Sequence, residues 1–202
     1  MLIALGLSLF LTFSYKIVEI FIRIFRSKSL VRFSLYFWAV GTMILVPFSK
    51  GNYIFSSPDN IIKVMPVFLI LIIANCVLAR FSGYNPIGKF NIINFVITYP
   101  VIEEFIFRGL ILSYLNQYLS SEVLIQVMYM PVTLSVVITA LLFAITHLQY
   151  YSLSRQSIRY MIFAFMGGIF FGAITDLTHS ILLSCLLHIE FNLLAVYFAK
   201  KT

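Results

Sequence analysis

The sequence predicts an all-α membrane protein, a polytopic bundle of about seven transmembrane helices. Of its 202 residues, 61% are hydrophobic and only 10% are charged, and the mean hydropathy is +1.02. An ordinary soluble domain carries roughly 25% charged residues, so the composition excludes that class. Because one span uses ~20 residues plus a short connection, about seven spans would occupy residues 1–202 as a single membrane domain.

Seven apolar runs are long enough to cross a bilayer, and short polar connections rich in turn-forming residues separate them. The first run has no basic residue before it and no cleavage site after it, which favours a retained span over a signal peptide. The predicted spans are Leu2 to Ile22, Leu30 to Phe48, Ile61 to Leu78, Phe90 to Tyr118, Pro131 to Tyr151, Ile158 to Thr175 and Ile181 to Ala199.

The basic residues predict the orientation of these spans. The net charge is +7, but no basic residues cluster beside aromatic residues on a polar face, so nucleic acid is not an expected partner. Alternate loops differ in basic content, and the basic side is cytoplasmic in most membrane proteins. We therefore expect a multi-pass protein of the cell membrane with its N-terminus outside and its C-terminus in the cytoplasm. Ten residues mark the inner side and two the outer: Arg23, Arg26, Lys28, Arg32, Arg80, Lys89, Arg155, Arg159, Lys200 and Lys201 against Lys50 and Lys63.

Three charges lie inside the fourth predicted span, in the stretch "YPVIEEFIFRG". A charge near the bilayer centre costs ~3 kcal/mol or more, so each one needs compensation. Glu104 and Arg108 are four residues apart and can neutralise each other on one helix face. Glu103 is rotated by about 100° and must find a partner on another helix. Pro100 removes a backbone donor, which predicts a kink and a free carbonyl for a water or a side chain.

Two histidines in other spans are candidate partners for Glu103. His147 ends "FAITH" in the fifth predicted span, and His188 begins "HIEFN" in the seventh, with Asn192 one helical turn later. His179 lies in an outer loop, where a solvated or capping role is expected. Each membrane histidine alone could be an interhelical hydrogen bonder, but together with an unpaired glutamate they form a possible catalytic group.

These three segments together resemble the CPBP family of intramembrane proteases. "EEFIFR" fits EExxxR, "FAITH" fits FxxxH and "HIEFN" fits HxxxN, in this order and on three separate spans. The family includes the type II CAAX prenyl endopeptidases and the bacteriocin-processing or immunity (Abi) proteins. The resemblance extends from Tyr99 to Asn192, within a motif-bearing core of about residues 90–199.

The resemblance implies peptide-bond hydrolysis within the membrane and a role for each motif residue. Glu103 and His147 would activate a water molecule, and burial makes a carboxylate a stronger base. His188 and Asn192 would stabilise the oxyanion, and such donors act most strongly at low dielectric. Glu104 and Arg108 would be the supporting pair.

The residues by themselves are compatible with more than one cofactor and more than one function. Glu103, His147 and His188 could also form a zinc site with an open fourth position, although metal-free chemistry fits the same residues and is slightly favoured. The expected partners are a membrane-associated peptide or protein substrate and the lipid bilayer, and the oligomeric state is not predicted. One alternative is a peptide-binding or bacteriocin-immunity protein that does not cut. A transporter is a third, against which the sequence shows no internal repeat.

Overall fold

The fold is a bundle of helices that also contains a small β-hairpin. The computed structural model describes residues 2–44, 46, 53–54 and 56–200. The helices are α1 Leu2–Arg23, α2 Lys28–Arg32, α3 Ser34–Met43, α4 Ile61–Leu78, α5 over residues 89–115, α6 Leu134–Thr146, α7 Arg155–Thr178 and α8 Leu182–Ala199. The hairpin strands are β1 Val123–Val127 and β2 Met130–Thr133, which pair antiparallel. The predicted all-α membrane bundle is therefore confirmed, with a hairpin that the sequence did not predict.

Within the described residues, four helices are long and apolar enough to cross a membrane: Leu2–Arg23, Ile61–Phe81, Arg155–Thr178 and Leu182–Ala199. They match the first, third, sixth and seventh predicted spans. The second predicted span is helical only as far as Met43, and part of its C-terminal end lies outside the described residues. The helix Leu134–Gln149 is apolar but shorter than the other four. An integral membrane protein is thus confirmed, whereas the number of seven spans stays a prediction.

The hairpin occupies the place where the fifth span was expected to start. Met128 and Tyr129 form its turn with φ angles of 53° and 66°, the left-handed conformation that two-residue hairpin turns require. Pro131 lies in β2, and the helix begins only at Leu134, where the hydroxyl of Thr133 accepts a hydrogen bond from the amide of Val136. The described helix therefore starts three residues after Pro131, at a side-chain cap.

Helix α5 lies at the centre of the bundle and alternates between α-helical and π-helical segments. Its segments are Lys89–Ile93, Asn94–Thr98, Tyr99–Glu104, Phe105–Leu112 and Ser113–Leu115, of which the second and fourth are π-helical. π-Helical turns are rare and often lie at functional sites. The first one lies directly before Tyr99 and Pro100, so the distortion expected at Pro100 takes the form of a wide turn. The two glutamates end the α-helical segment between the two π-helical ones.

Helices α6 and α7 approach closely because α7 carries glycines where they meet. A Cβ atom at Gly168 would lie 2.9 Å from the Cβ of Ala140 and 3.0 Å from its Cα, and one at Gly172 would lie 3.0 Å from a methyl group of Val136. Small residues four positions apart are typical of close helix pairs in membranes. This contact sets the position of α6, which carries "FAITH" at its end.

We expect the substitution Gly168→Ala to destabilise the protein by ~1–3 kcal/mol, because the new methyl group would force α6 away from α7. The matched control is Gly167→Ala, whose Cβ would meet only the ring of Phe171 at 3.6 Å. Unfolding midpoints in the same detergent measure the difference. Equal midpoints for the two variants would show that the helices can separate at no cost.

Candidate active site

The predicted site residues come from three helices and lie together in the centre of the bundle. α5 supplies Glu103, Glu104 and Arg108, the turn after α6 supplies His147, and α8 supplies the other two. All six are buried, with at most 9% of their surface exposed. Four of them line one cavity of about 270 Å³, whose other walls are aromatic: Glu103, His147, His188 and Asn192, with Tyr84, Phe95, Tyr99, Tyr150 and Tyr151.

Glu104 and Arg108 form the predicted pair behind this cavity. Arg108 Nη1 donates to Glu104 Oε1 over 2.9 Å, and both side chains are fully buried. The guanidinium also faces the rings of Phe143 and Phe171, at 4.5 Å and 5.6 Å from their centroids. Arg108 Nε and Nη2 have no hydrogen-bond partner in the part of the chain that the structure describes. The aromatic faces compensate for those missing bonds by cation–π attraction.

His188 connects this pair to Glu103. Its Nδ1 lies 2.9 Å from Glu104 Oε1, and its Nε2 lies 3.8 Å from Glu103 Oε2. An ionised carboxylate only accepts hydrogen bonds, so Nδ1 carries a proton when Glu104 is ionised. The longer distance is not a hydrogen bond, but one water ~2.8 Å from each atom would fit between them. Glu104 therefore fixes which nitrogen of His188 faces the cavity.

His147 is oriented by its own helix. Its Nδ1 lies 3.1 Å from the carbonyl oxygen of Phe143, which can only accept, so Nδ1 is the donor. In the neutral ring, Nε2 is then a free acceptor. Phe143 and His147 are the first and last residues of "FAITH", so the spacing of the motif itself allows the contact. His147 is thus held in the tautomer that can take a proton from water.

Asn192 reaches across to α5 at its first π-helical turn. Its Nδ2 donates to the carbonyl of Phe95 over 2.7 Å. In that turn the amide of Tyr99 donates to the carbonyl of Asn94. The next amide along the chain would donate to the carbonyl of Phe95, but Pro100 has no amide hydrogen. The carbonyl that the proline leaves free is therefore taken by a side chain, as the sequence predicted. The second amide hydrogen of Asn192 is left for another acceptor.

Two polar residues near the site, Asn75 and Glu190, are not among the residues predicted from the motifs. Asn75 on α4 donates to the carbonyl of Leu187 and to Glu190 Oε2, both over 3.0 Å, and so ties α4 to the helix that carries His188. An asparagine and a glutamate inside apolar spans are a recognisable signal, because polar groups in lipid need partners. Glu190 occupies an unspecified position of HxxxN, so the motif itself does not mark it.

A second, apolar cavity of about 320 Å³ lies beside the first, between α4, α7 and α8. It shares Tyr84, His147, His188 and Asn192 with the polar cavity. Its remaining walls are mainly large apolar side chains, among them Leu71, Phe163, Met166, Phe170, Phe171 and Phe191. The candidate residues thus lie at the junction of a polar and an apolar space.

The residues of the alternative zinc site do not fit a metal ion in this arrangement. Across residues 2–44, 46, 53–54 and 56–200, no three His, Cys, Asp or Glu side chains are placed to hold one. His188 could ligate a metal only through Nε2, because its Nδ1 donates to Glu104.

The comparison with known protein families identifies the chain. The family described as type II CAAX prenyl endopeptidase, Rce1-like, matches residues 85–194, which is more than half of the chain and contains all three motifs. No curated protein and no solved structure matches the chain. The chain therefore belongs to the Rce1-like family of type II CAAX prenyl endopeptidases, intramembrane proteases that hydrolyse peptide bonds.

Proposed function

We propose that Glu103 and His147 activate the attacking water and that His188 and Asn192 stabilise the oxyanion. The observation that carries this proposal is the shared cavity: these four side chains line it, while Glu104 and Arg108 lie behind it. The cavity is large enough for a peptide segment and a water molecule, and its polar groups converge from three helices.

In the first step, Glu103 takes a proton from the water, whose oxygen attacks the carbonyl carbon. His147 accepts a hydrogen bond from the same water at Nε2, since its Nδ1 is bound to the carbonyl of Phe143. Glu103 then passes the proton to the peptide nitrogen, the C–N bond breaks, and a carboxylic acid and an amine leave. General base catalysis of this kind contributes about 10²–10⁴ in rate.

The oxyanion would receive hydrogen bonds from His188 Nε2 and from the free amide hydrogen of Asn192. Nε2 can donate only when the ring carries both protons, and the contact with Glu104 keeps one of these protons on Nδ1. The site then holds two carboxylates, one guanidinium and one imidazolium, so its charges balance. Donors held in place at low dielectric stabilise developing charge strongly.

The two adjoining cavities favour a substrate with two unlike parts. The polar cavity would take the peptide around the scissile bond, and the apolar cavity would take an attached lipid chain or an apolar side chain. A prenylated peptide has this composition, and the family's description includes it. We therefore propose a prenylated or otherwise lipid-anchored peptide as the substrate class.

We further propose that the protein spans the cell membrane about seven times as one domain, with its C-terminus in the cytoplasm. The ten basic residues of one set of loops support this orientation. Lys89 begins α5 and Arg155 begins α7, so both helices would start at the cytoplasmic side. The peptide would then reach the site from the cytoplasm.

The test uses purified protein in liposomes and an internally quenched peptide that carries one prenylated cysteine. We expect the wild-type protein to cut it and His147→Gln to lower kcat about 10²–10³-fold, because the water loses an acceptor. The matched control is His179→Gln, which changes an exposed histidine that contacts Asp59 away from the cavity. Full activity of His147→Gln would refute the assignment, and binding of the peptide without cleavage by wild type would favour the binding or immunity alternative.

A further inference from the structure

A third cavity of about 410 Å³ adjoins the catalytic one, and we call it the vestibule. The two share Phe95, Tyr99 and Tyr151, so they meet along α5. The other walls of the vestibule include polar side chains from the start of the chain and from α5: Tyr15, Arg32, Ser34, Asn91 and Asn94. A polar path therefore runs beside α5 from the catalytic residues towards the end that begins at Lys89.

Arg32 supplies the positive charge of the vestibule. Its guanidinium lies 4.2 Å from the ring centroid of Phe90, and no carboxylate among the described residues pairs with it. The nearby Arg23 differs, because Glu19 binds it over 2.6 Å. The ring of Phe90 orients the guanidinium without using its hydrogen-bond donors. An oriented and unpaired arginine is suited to binding a carboxylate in a two-pronged contact.

Asn94 adds donors deeper in the vestibule. Its side chain is buried, and its Oδ1 accepts a hydrogen bond from the hydroxyl of Tyr36 over 2.5 Å. This contact fixes which end of the amide is the acceptor, so the two hydrogens of Nδ2 are available to a ligand. The vestibule therefore offers a cation at the end away from Glu103, which suits a carboxylate. It also offers amide donors along its wall, which suit a peptide backbone.

We propose that the vestibule binds a segment of the peptide substrate and that Arg32 recognises a carboxylate on it. The inference rests on the proposed function, since it places the scissile bond at Glu103. Phe90 and Glu103 are 13 residues apart on α5, or ~20 Å at ~1.5 Å per residue. An extended peptide covers that distance in about six residues. The preferred carboxylate would therefore lie about six residues from the scissile bond.

The experiment uses quenched prenylated peptides that are neutral apart from one aspartate, moved from two to eight residues from the scissile bond on either side. For wild type, we expect kcat/KM to peak with the aspartate at about six residues on one side, roughly tenfold above the neutral peptide. In Arg32→Gln the ratio of kcat/KM for the best aspartate peptide to that for the neutral peptide should fall to near one. Arg32→Lys should retain part of the preference. High salt should weaken the preference, because the vestibule is open to water.

The control variant is Lys28→Gln, which removes a charge from the same short helix but does not line the vestibule. Two results would overturn the proposal in favour of a general attraction to basic loops. One is a preference that does not depend on the position of the aspartate, and the other is a preference that Lys28→Gln lowers as much as Arg32→Gln does. A failure of the proposed function would give a different result from a failure of this inference. In that case Glu103→Gln would cut all the peptides as fast as wild type does.

Discussion

Replacing Glu103 with glutamine is expected to lower kcat by about 10³-fold while the protein stays inserted and folded. Glutamine has nearly the same shape but cannot accept a proton from water. His188 Nε2 is 3.8 Å from Glu103 Oε2, so the substitution breaks no hydrogen bond between these two side chains. Removing an ionised group from a buried position also removes the cost of taking its charge out of water. The unfolding midpoint should therefore be equal to or higher than that of wild type.

The measurement is kcat with the quenched prenylated peptide, together with thermal unfolding in the same detergent. Glu190→Gln is the matched control, because Glu190 is also a glutamate within a span but binds Asn75 and lies outside the catalytic cavity. We expect its kcat to stay within a few-fold of wild type. A Glu103→Gln variant that keeps a normal kcat and only raises KM would assign Glu103 to substrate binding and would reject it as the base.

Replacing Arg108 with methionine is expected to destabilise the protein by ~3–5 kcal/mol, the largest effect of any single change in the site. Arg108 and Glu104 are both fully buried, and the 2.9 Å contact between them neutralises both charges. Without the arginine, Glu104 keeps only His188 as a partner, and its Oε2 already has none among the described residues. Unfolding in detergent with increasing denaturant measures the loss.

The double variant Glu104→Gln with Arg108→Met separates charge from packing. Replacing both members of a buried ion pair often costs little, so we expect most of the lost stability to return. Activity should not return, because Nδ1 of His188 would lose the carboxylate that orients its ring. If the double variant is no more stable than Arg108→Met, the contacts of Arg108 with Phe143 and Phe171 carry the stability and the ion pair does not.

Features that depend on neighbouring residues in one helix could be predicted from the sequence. The contact between Glu104 and Arg108 follows from a spacing of four residues, and the free carbonyl near Pro100 follows from the missing amide of proline. The membrane class follows from composition, and the family from three motifs in order. The roles of Glu103, His147, His188 and Asn192 remain predictions until the variants are measured.

Only the tertiary structure decided how the helices present these residues to one another. His188 could have turned either nitrogen to either glutamate, and the packing of α8 against α5 places Nδ1 on Glu104. The rotation and depth of whole helices likewise decide three other features. These are the hairpin before α6, the approach of α6 to Gly168 and the three adjoining cavities. Hydropathy fixes neither quantity, because it records how apolar a span is and not which neighbour it meets. The sequence alone therefore determined which residues are candidates, and the packing determined what each of them touches.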